Sequence, residues 1–600
     1  MNVRYWPLAV ALLLAIPALA APAPEWVRES DAAAQPMLQV IARFAPEGAQ
    51  RLGVDGVDDR VLDLGPGFGD RYRAALDEVA RGLEAKLPGT REPKVREDIQ
   101  ILVSDARRRI EESKLEHDLL LPFFLPARIA FGGILALLDP RIPKERQAAA
   151  LVRLRRYAGL EPGSTAITEL AKARTTERFG ESKLLGPYRP EVDQALADSK
   201  RLVAGIGELF KKSGLNGYQP ALAKLGEQVE EYNRWVAAEI LPRSRSESRL
   251  PPELYAADLR GFGVNLPPEA VIRAALISFS EIRNEMNALA PQIARAHGLP
   301  PGSDYRAVLR ALKRKQVPNA DLLSLYGRRL AALEDITRRE HVVTLPERKA
   351  KIRLASEAES AMQPAPHMDA PRLIGNTGEY GEFVLPLATP GAPGQKDLRT
   401  DDFTFDAATW TLTVHEARPG HELQFTRMLE NGVSIARAVF AFNSANVEGW
   451  ALYAEAEMKP YLPPEGQMAS LQHRMLRAAR AFLDPMVNLG QIRPEDARRV
   501  LMEDAVFSEG MAKQEVDRYT FRAPGQATSY FVGYQSMLET RQRAELALAG
   551  RLDRQRFHDF ILAQGLLPPD LRLRAVMEEF VPGEKARAAA TRPAPASKPN

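Results

Sequence analysis

The sequence predicts a mostly α-helical protein, a large multi-helical body with a small β-sheet beside the helix that carries its candidate site. Over most of the chain, apolar residues recur at three- and four-residue steps, which is the spacing of one helical face. Short polar segments with glycine or proline separate these stretches, whereas one short run reads as a strand. For 600 residues, this pattern indicates one large helical body or a few domains.

The helical stretches begin after proline pairs or short polar links, where helices commonly start. Each apolar stripe is expected to form core, because a stripe of this width is the buried face of an amphipathic helix. The predicted helices cover residues 71–87, 95–116, 190–212, 219–240, 272–289 and 322–336.

One segment departs from the helical pattern. Residues 380–387 read as a short strand, with Pro386 marking an edge or an end, because proline cannot donate to a sheet ladder. Tyr380 and Phe383 are candidate substrate-binding residues, since an extended peptide can pair with the backbone of a strand. The strand precedes a helix that begins at Asp406 and carries the candidate metal ligands, so the sheet is expected beside that helix.

The two ends of the chain differ from the body. Arg4 precedes an apolar run at residues 8–19, and Ala18-Leu19-Ala20 fits a small-residue cleavage site, as in a signal peptide. A membrane anchor is the alternative, but the run is short for a span of about 20 residues. The predicted regions are a signal peptide at 1–20, a helical N-terminal region at 21–370, a catalytic region at 371–582 and a disordered tail at 583–600.

Composition excludes several kinds of site. The net charge is only +3 and the two ends contribute the excess, so no nucleic-acid groove is expected. The chain has no cysteine, which excludes disulfides, an acylated cysteine and thiolate ligands. Any metal must therefore be held by His, Asp or Glu. We expect a periplasmic or secreted protein with no membrane span after signal cleavage.

The segment from Thr413 to Glu422 is the most informative motif. His415 and His421 both belong to it, in a chain with only eight histidines. Zinc ligands on one helix are usually four residues apart, but Pro419 stands four after His415. His421 is six residues on, about 120° round an ideal helix. Both can face one ion only if Pro419-Gly420 breaks the helix; alternatively, the helix ends at Arg418 and His421 merely starts another.

A second segment supplies carboxylates. Glu448 lies 27 residues beyond His421, and zinc sites commonly take a ligand from a later helix. Glu455 is seven residues after Glu448 and shares its helix face, where it could support a ligand histidine. Both could instead be solvent-facing acids. However, Trp450 and its apolar neighbours suit a buried helix, in which an unpaired carboxylate is costly.

A third segment, residues 518–534, combines basic, amide and phenolic groups around Pro524-Gly525. Such groups can stabilise an oxyanion or bind a peptide carboxylate. Near a turn, however, tyrosines and arginines are more commonly packing or surface residues. The proposed partners of the oxyanion or the substrate terminus are Tyr530 or Tyr534, together with Arg522 or Gln526.

Together these motifs resemble a bacterial family called domain of unknown function 885, which in turn resembles zinc metallopeptidases of the gluzincin type. The resemblance rests on His415-Glu416-x-x-Pro419-Gly420-His421, then residues 448–455, then residues 518–533, and covers roughly residues 375–543. It departs at Glu422, where many members have a second histidine. This leaves His421 as the candidate ligand after Pro-Gly and adds a carboxylate beside the site.

The resemblance implies a metallopeptidase-like body with one zinc ion, or another divalent metal, held by His415, His421 and Glu448. Glu455 and Glu422 would stand behind the ligands and support them. The implied function is an exported zinc-dependent hydrolase, a peptidase of short peptides. Zinc would lower the pKa of a bound water toward about 7. Glu416, as general base, would take its proton and pass it to the leaving amine.

Two other functions remain open. Glu448 and Glu455 could be an acid/base pair for a glycosidic bond, although two helical turns separate them by about 10 Å, beyond the useful range. The chain could also be a catalytically inactive periplasmic peptide-binding or scaffold protein on a peptidase-like fold. The Pro-Gly interruption and Glu422 motivate this reading, whereas the presence of both His415 and Glu416 counts against it. Cleavage preference and oligomeric state are not determined by the sequence.

Overall fold

The computed structural model describes residues 23–363, 365–376, 378–386, 388–389, 398–399 and 401–590. The predicted signal peptide at residues 1–20 lies outside this part of the chain. Among the described residues, helices predominate and the strands form one three-stranded and one two-stranded sheet. The predicted fold class, mostly α with a small sheet, is therefore confirmed.

The chain is helical almost throughout as far as residue 339, and every helix predicted from periodicity is present there. Many of these helices begin with proline, whose missing N–H has no intrahelical partner at that position. They are α1 (Glu25–Phe44), α2 (Pro46–Leu52), α3 (Phe68–Glu84), α4 (Pro93–Leu119), α5 (Pro126–Leu137), α6 (Lys144–Gln147), α7 (Ala149–Tyr157), α8 (Ile167–Thr176), α9 (Arg189–Ser213), α10 (Gln219–Trp235), α11 (Pro252–Gly261), α12 (Pro268–Ala296), α13 (Tyr305–Lys313) and α14 (Asn319–Arg339), with single turns at Leu87–Gly89, Val236–Ile240 and Leu241–Arg243.

A three-stranded sheet follows, formed by β1 (Lys351–Leu354), β2 (His367–Asp369) and β3 (Glu382–Leu385). The predicted strand is present as β3, and Pro386 follows its last residue. However, β3 is the central strand, paired in parallel with β1 and antiparallel with β2. Its backbone is therefore already paired on both sides, and the expectation that it holds a peptide is wrong. Among the described strands, β1 and β2 are the edges of this sheet.

The remaining elements are a short helix between two strands of this sheet, a second sheet and the later helices. A short helix, α15 (Glu357–Met362), lies between β1 and β2, and β4 (Ala388–Thr389) pairs antiparallel with β5 (Leu398–Arg399). The later helices are α16 (Asp406–Leu412), α17 (His421–Asn431), α18 (Ser444–Met458), α19 (Pro464–Asn488), α20 (Pro494–Glu503), α21 (Glu509–Asp517), α22 (Gln526–Ala547), α23 (Arg554–Ala563), α24 (Pro569–Ala575) and α25 (Val581–Ala590), with a 3₁₀ turn at Lys459–Tyr461 and π-helical turns at Thr413–Ala417, Ala436–Phe440, Arg518–Arg522 and Val576–Phe580.

Helix α19 is buried along most of its length and packs against α12, α16 and α22. Phe279 of α12 meets Phe482 of α19 edge to face, with 5.5 Å between ring centroids. The central hydrophobic core includes residues from both sides of the predicted boundary at residue 370. Whether the two regions are separate domains stays a prediction, although their side chains share this core.

The last described helix differs from expectation. α25 extends to Ala590, whereas disorder was predicted from residue 583. Its alanines have high helix propensity, and Glu584 accepts a hydrogen bond of 2.9 Å from Nε of Arg556 in α23. Disorder is therefore wrong for residues 583–590, and the last ten residues lie outside the described part of the chain.

Candidate metal centre

The helix that carries His415 breaks at the predicted place. α16 passes into the π-helical turn Thr413–Ala417, and Arg418 is extended, with φ −127° and ψ 135°. The residue before proline is disfavoured in helical geometry, which accounts for this conformation. The Arg418–Pro419 peptide is cis, and α17 begins at His421. The break returns His421 to His415, so that their ring centroids lie 4.7 Å apart.

Two residues hold the chain at this break. Gly420 packs against the turn before it, because a Cβ built there would lie 2.0 Å from the carbonyl oxygen of His415. The indole N–H of Trp450 donates to the carbonyl oxygen of Pro419 at 3.0 Å. Trp450 lies on α18, the helix of Glu448. A single helix therefore secures the break and carries the third candidate ligand.

Glu448 completes a cluster with the two histidines. Its Oε2 lies 3.4 Å from Nε2 of His415 and 3.3 Å from Nε2 of His421. One ligand atom from each of the three residues lies within 4.8 Å of the others. Ligand atoms placed about 2.0–2.1 Å from a tetrahedral ion are about 3.3–3.4 Å from one another. The carboxylate oxygen thus lies at ligand spacing from each of the two nitrogens.

The polar atoms of the cluster also fit a cation. Oε2 of Glu448 is buried and has no hydrogen-bond partner among the described residues. A buried carboxylate oxygen without a partner is costly, and a cation would remove that cost. Two imidazole nitrogens and one carboxylate oxygen form a donor set that zinc accepts. The residues present therefore fit a single divalent metal.

The carboxyl groups of Glu416 and Glu448 differ in pKa. Burial raises the pKa of Glu416 to about 8, with Glu448 adding to the increase and His421 opposing it. Burial acts on Glu448 in the same direction, but the two imidazoles outweigh it and hold its pKa well below the usual range. Oε1 of Glu416 lies 3.9 Å from Nε2 of His415. Glu448 is thus the ionised group, and Glu416 can exchange a proton near neutral pH.

Glu455 stands behind His415, as expected. Its Oε1 lies 2.7 Å from Nδ1 of His415, and the hydroxyl of Thr411 donates to its Oε2 at 2.6 Å. Burial opposes ionisation of Glu455, but Arg477 and His415 outweigh it and lower its pKa to about 2. The ionised carboxylate favours a proton on Nδ1 of His415. With Nδ1 protonated, Nε2 would be the nitrogen of His415 that binds a metal.

Glu422 has a different role from the predicted one. It is buried and accepts hydrogen bonds from Nε of Arg418 at 2.6 Å and from the hydroxyl of Thr426 at 2.9 Å. Arg418 also donates to Glu334 at 2.8 Å. As the residue next to His421 on α17, Glu422 is turned about 100° away from it. It therefore anchors the residue before the break, and the expectation that it supports a ligand is corrected.

The cluster opens on a cavity of about 420 Å³ that Tyr530 also lines. The guanidinium carbon of Arg480 lies 4.4 Å from the centroid of the Tyr530 ring. Burial and the nearby carboxylate of Glu448 raise the pKa of Tyr530. Its phenol therefore stays protonated at neutral pH and can donate a hydrogen bond.

Three other predicted site residues do not line this cavity. The ring of Tyr534, one turn beyond Tyr530, faces Arg474 at 5.5 Å. Arg522 lines a separate cavity of about 190 Å³, between α5, α9 and α10. Gln526 donates to the hydroxyl of Ser444 at 2.9 Å, at the start of α18. Proximity in sequence to Tyr530 did not bring these side chains to the metal cluster.

The predicted substrate-binding residues Tyr380, just before β3, and Phe383, within β3, also lie outside the cavity. Phe383 is fully buried and meets Tyr326 edge to face at 5.4 Å. Tyr380 packs under the guanidinium of Arg348 at 4.9 Å. The edge strand β2, by contrast, contributes all three of its residues to the cavity wall. Tyr380 and Phe383 therefore do not face the metal cluster, contrary to expectation.

Sequence reasoning missed the side chains that α19 contributes. His473, Arg477 and Arg480 all line the cavity. Their spacing of four and three residues places them on one helix face. A polar stripe within an otherwise apolar, buried helix was the available signal. Arg518, from the third motif, lines the cavity as well.

The model of the family described as "Bacterial protein of unknown function (DUF885)" matches residues 46–577. The chain belongs to this family. The predicted resemblance to it is thereby confirmed, and the match reaches well beyond the three motifs into the N-terminal half. No match was found among the curated proteins. Among the described residues of this DUF885 chain, no helix is both long enough and apolar enough to cross a membrane.

Two solved structures share the fold. One is a candidate lipoprotein from Colwellia psychrerythraea, with 19% identity and a TM-score of 0.73 over 92% of this chain and 99% of that protein. The other is a candidate lipoprotein of unknown function from Shewanella oneidensis, with 19% identity and a TM-score of 0.67 over 93% of this chain and 100% of that protein. At this identity the similarity shows that the DUF885 chain has the same fold.

Proposed function

We propose that this protein is an exported metal-dependent hydrolase, with zinc as the expected ion and short peptides as the substrates. The observation that carries the proposal is the spacing of Nε2 of His415, Nε2 of His421 and Oε2 of Glu448, at 3.3–3.4 Å between carboxylate and imidazoles. These three side chains would hold the ion. When bound, it supplies Lewis acidity and lowers the pKa of water.

The chain's own residues supply the proton transfers. Glu416 is the general base: it takes a proton from the attacking water and delivers it to the nitrogen that leaves. Its buried carboxyl, with a pKa raised to about 8, suits the delivery step, and a bound cation would lower that pKa toward the basic role. Tyr530 donates its phenolic proton in a hydrogen bond to the oxygen of the peptide group that becomes negative.

Substrate binding is assigned to β2 in place of β3. β2 pairs with β3 on one side, and no described strand pairs with its other side. Its residues line the same cavity as His415 and Glu448. An extended peptide could therefore add to β2 by backbone pairing and present one bond to the cluster.

Export is supported by the leader-like N-terminus and by the two candidate lipoproteins that share the fold. The sequence contains no cysteine to which a lipid could be attached. We therefore propose a periplasmic or secreted protein.

The test combines metal content with turnover. Purified wild type is expected to hold close to one divalent ion per chain by mass spectrometry and to cleave members of a short-peptide library. Glu416→Gln should keep the ion and lose at least about a hundredfold in kcat, given the usual contribution of a general base. A wild type that binds no divalent ion, or equal turnover by both proteins, would contradict the proposal.

A catalytically inactive peptide-binding protein is the second candidate. Nδ1 of His421 is buried without a hydrogen-bond partner among the described residues. Ligand histidines usually donate from the second nitrogen to a carbonyl or carboxylate, which fixes the ring. The looser support of His421 favours this candidate. Tight peptide binding by the metal-loaded wild type, without cleavage over many hours, would identify it.

A further inference from the structure

Four arginines line the cavity beside the candidate metal ligands, namely Arg51, Arg477, Arg480 and Arg518, and two of them have close carboxylate partners. Arg480 makes two hydrogen bonds of 2.7 Å to the carboxylate of Glu515. Nη2 of Arg477 lies 3.2 Å from Oε1 of Glu455. Each of these guanidinium groups therefore has a buried carboxylate as its partner, although Nε and Nη1 of Arg477 have no hydrogen-bond acceptor among the described residues.

Arg518 has only a longer ion pair, with a carboxylate that it shares. Its nearest carboxylate is Glu515, at 3.8 Å, and that group already accepts from Arg480 and, at 3.0 Å, from the hydroxyl of Tyr519. Nη1 of Arg518 is buried and has no hydrogen-bond acceptor among the described residues. Two guanidinium groups thus share Glu515, and the other buried carboxyl that Arg518 influences, Asp484, has a pKa raised to about 7, so the positive charge at this wall of the cavity is only partly balanced.

Arg518 is also the most accessible of the three buried or half-buried arginines. The side chain of Arg518 keeps 17% of its surface exposed, against 6% for Arg477 and 5% for Arg480. Arg51 lines the cavity too, but it is exposed to solvent, which screens its charge. Arg518 is therefore the cation that a ligand inside the cavity would meet with the least competition.

Tyr530 connects this cation with the metal cluster. The guanidinium carbon of Arg518 lies 6.0 Å from the centroid of the Tyr530 ring. Both Glu448 and Arg518 influence the phenol of Tyr530 electrostatically. This partly balanced charge therefore lies within one side chain of the candidate ligands, close to where the reacting bond would be.

We propose that Arg518 binds a carboxylate of the substrate, and that this carboxylate is the free C-terminus of a short peptide. The inference rests on the proposed function for the identity of the substrate. A guanidinium with free N–H groups is suited to a carboxylate, which it can bind through two parallel hydrogen bonds. A cavity of about 420 Å³ is at the small end of ligand sites, which favours a chain end over a chain that passes through.

Three peptides of one sequence separate the possible sources of the carboxylate. The first has a free C-terminus, and the second is the same peptide with a C-terminal amide. The third is the amide with one aspartate residue added, so that its carboxylate stands on a side chain. Their dissociation constants are measured by calorimetry on full-length, zinc-loaded Glu416→Gln, which binds without turnover. We expect the free acid to bind about tenfold to a hundredfold more tightly than the amide, the usual effect of a charge-assisted hydrogen bond.

The variants Arg518→Met and Arg522→Met are each combined with Glu416→Gln, and their peptide affinities are compared. Arg522 is the matched control, because it lies on the same π-helical turn but lines another cavity. Arg518→Met should lose the preference for the acid, and Arg522→Met should retain it. If Arg518→Met does not fold, Arg518→Lys should reduce the preference several-fold, because it keeps the charge without the paired hydrogen bonds.

Equal binding of acid and amide would overturn the inference, as would an acid preference that survives in Arg518→Met. Binding of the aspartate peptide as tightly as the acid would overturn the assignment to a chain end. Metal content is measured in parallel. An acid preference that depends on Arg518 in a protein that binds no metal would refute the proposed hydrolase and support the carboxylate site.

Discussion

Gly449 of α18 and Gly533 of α22 mark a helix crossing that has no room for a side chain. A Cβ built on Gly449 would lie 2.5 Å from the carbonyl carbon of Gly533, and one built on Gly533 would lie 1.9 Å from the carbonyl oxygen of Ala445. Glu448 adjoins the first glycine, and Tyr530 lies one turn before the second. This close crossing therefore sets the distance between the candidate ligand and the phenol.

Gly533→Ala is expected to force these helices apart. Insertion of a methyl group into a packed core costs about 1–3 kcal/mol or more, so the free energy of unfolding and the metal affinity should both fall. Gly327→Ala is the control, because Gly327 lies in α14 with no atom within 4 Å of its would-be Cβ. That change should be neutral or stabilising. Urea unfolding and metal titration check both, and an unchanged metal affinity in folded Gly533→Ala would show that the crossing does not position Glu448.

Glu455→Gln should weaken metal binding without removing a ligand. The glutamine cannot hold the proton on Nδ1 of His415 electrostatically, and loss of such a partner typically costs about 10–100-fold in metal affinity. Competition titration against a chromophoric chelator measures the change. Glu457→Gln, two residues further along α18, alters a carboxylate that pairs with Arg541 and should leave the affinity as it was. Equal metal affinities of the two variants would show that Glu455 does not support the metal site.

Trp450→Phe tests what holds the chain break. The indole N–H donates to the carbonyl oxygen of Pro419, and loss of a buried donor costs about 1–3 kcal/mol. We expect a lower midpoint of thermal unfolding and weaker metal binding, since His421 follows the break. Trp235→Phe removes an indole that stacks on Phe179 and makes no hydrogen bond among the described residues. A Trp450→Phe protein with wild-type metal affinity would show that other contacts suffice to hold His421.

Asp484 should make the stability of the protein depend on pH. Burial raises its pKa to about 7, although Gly525 N–H and the Tyr255 hydroxyl donate to it. The folded state thus binds a proton that the unfolded chain releases near pH 4. Stability from this group is complete below about pH 4 and is lost progressively as pH rises to about 7.

Asp484→Asn should therefore gain stability relative to wild type between pH 5 and pH 8, by a few kcal/mol. Chemical denaturation at several pH values measures the difference. Asp496→Asn is the control: the pKa of this partly exposed carboxyl is lowered by Arg493, so the stability difference from wild type should be constant above about pH 4 and change with pH only below it. A constant difference between wild type and Asp484→Asn across this range would mean that Asp484 is ionised in the folded protein at pH 5.

The local conformation around the site follows from sequence. Proline at 419 forces Arg418 out of the helix, and glycine at 420 allows the next turn to begin against the carbonyl of His415. These are properties of one or two residues and their immediate neighbours. The convergence of His415 with His421 was predicted on that basis, and the structure brings the two rings together.

The roles within residues 518–534 could not be assigned in the same way. Arg518, Arg522, Tyr530 and Tyr534 have similar chemistry, and the choice among them depends on which faces the cavity. The π-helical turn Arg518–Arg522 and the start of α22 at Gln526 determine those directions. Neither the turn nor its packing against α19 has a signature in the local sequence.

In the three-stranded sheet, too, one feature could be predicted from the sequence and another could not. A strand near residue 383 could be predicted, but its position between β1 and β2 could not, because its partners are short segments with no alternating pattern. The sequence by itself thus determined the helical fold class, the break at Pro419-Gly420 and the set of chemical groups. Only the tertiary structure decided which groups meet, because their distances depend on contacts between segments far apart in the chain, such as Gly449 with Gly533.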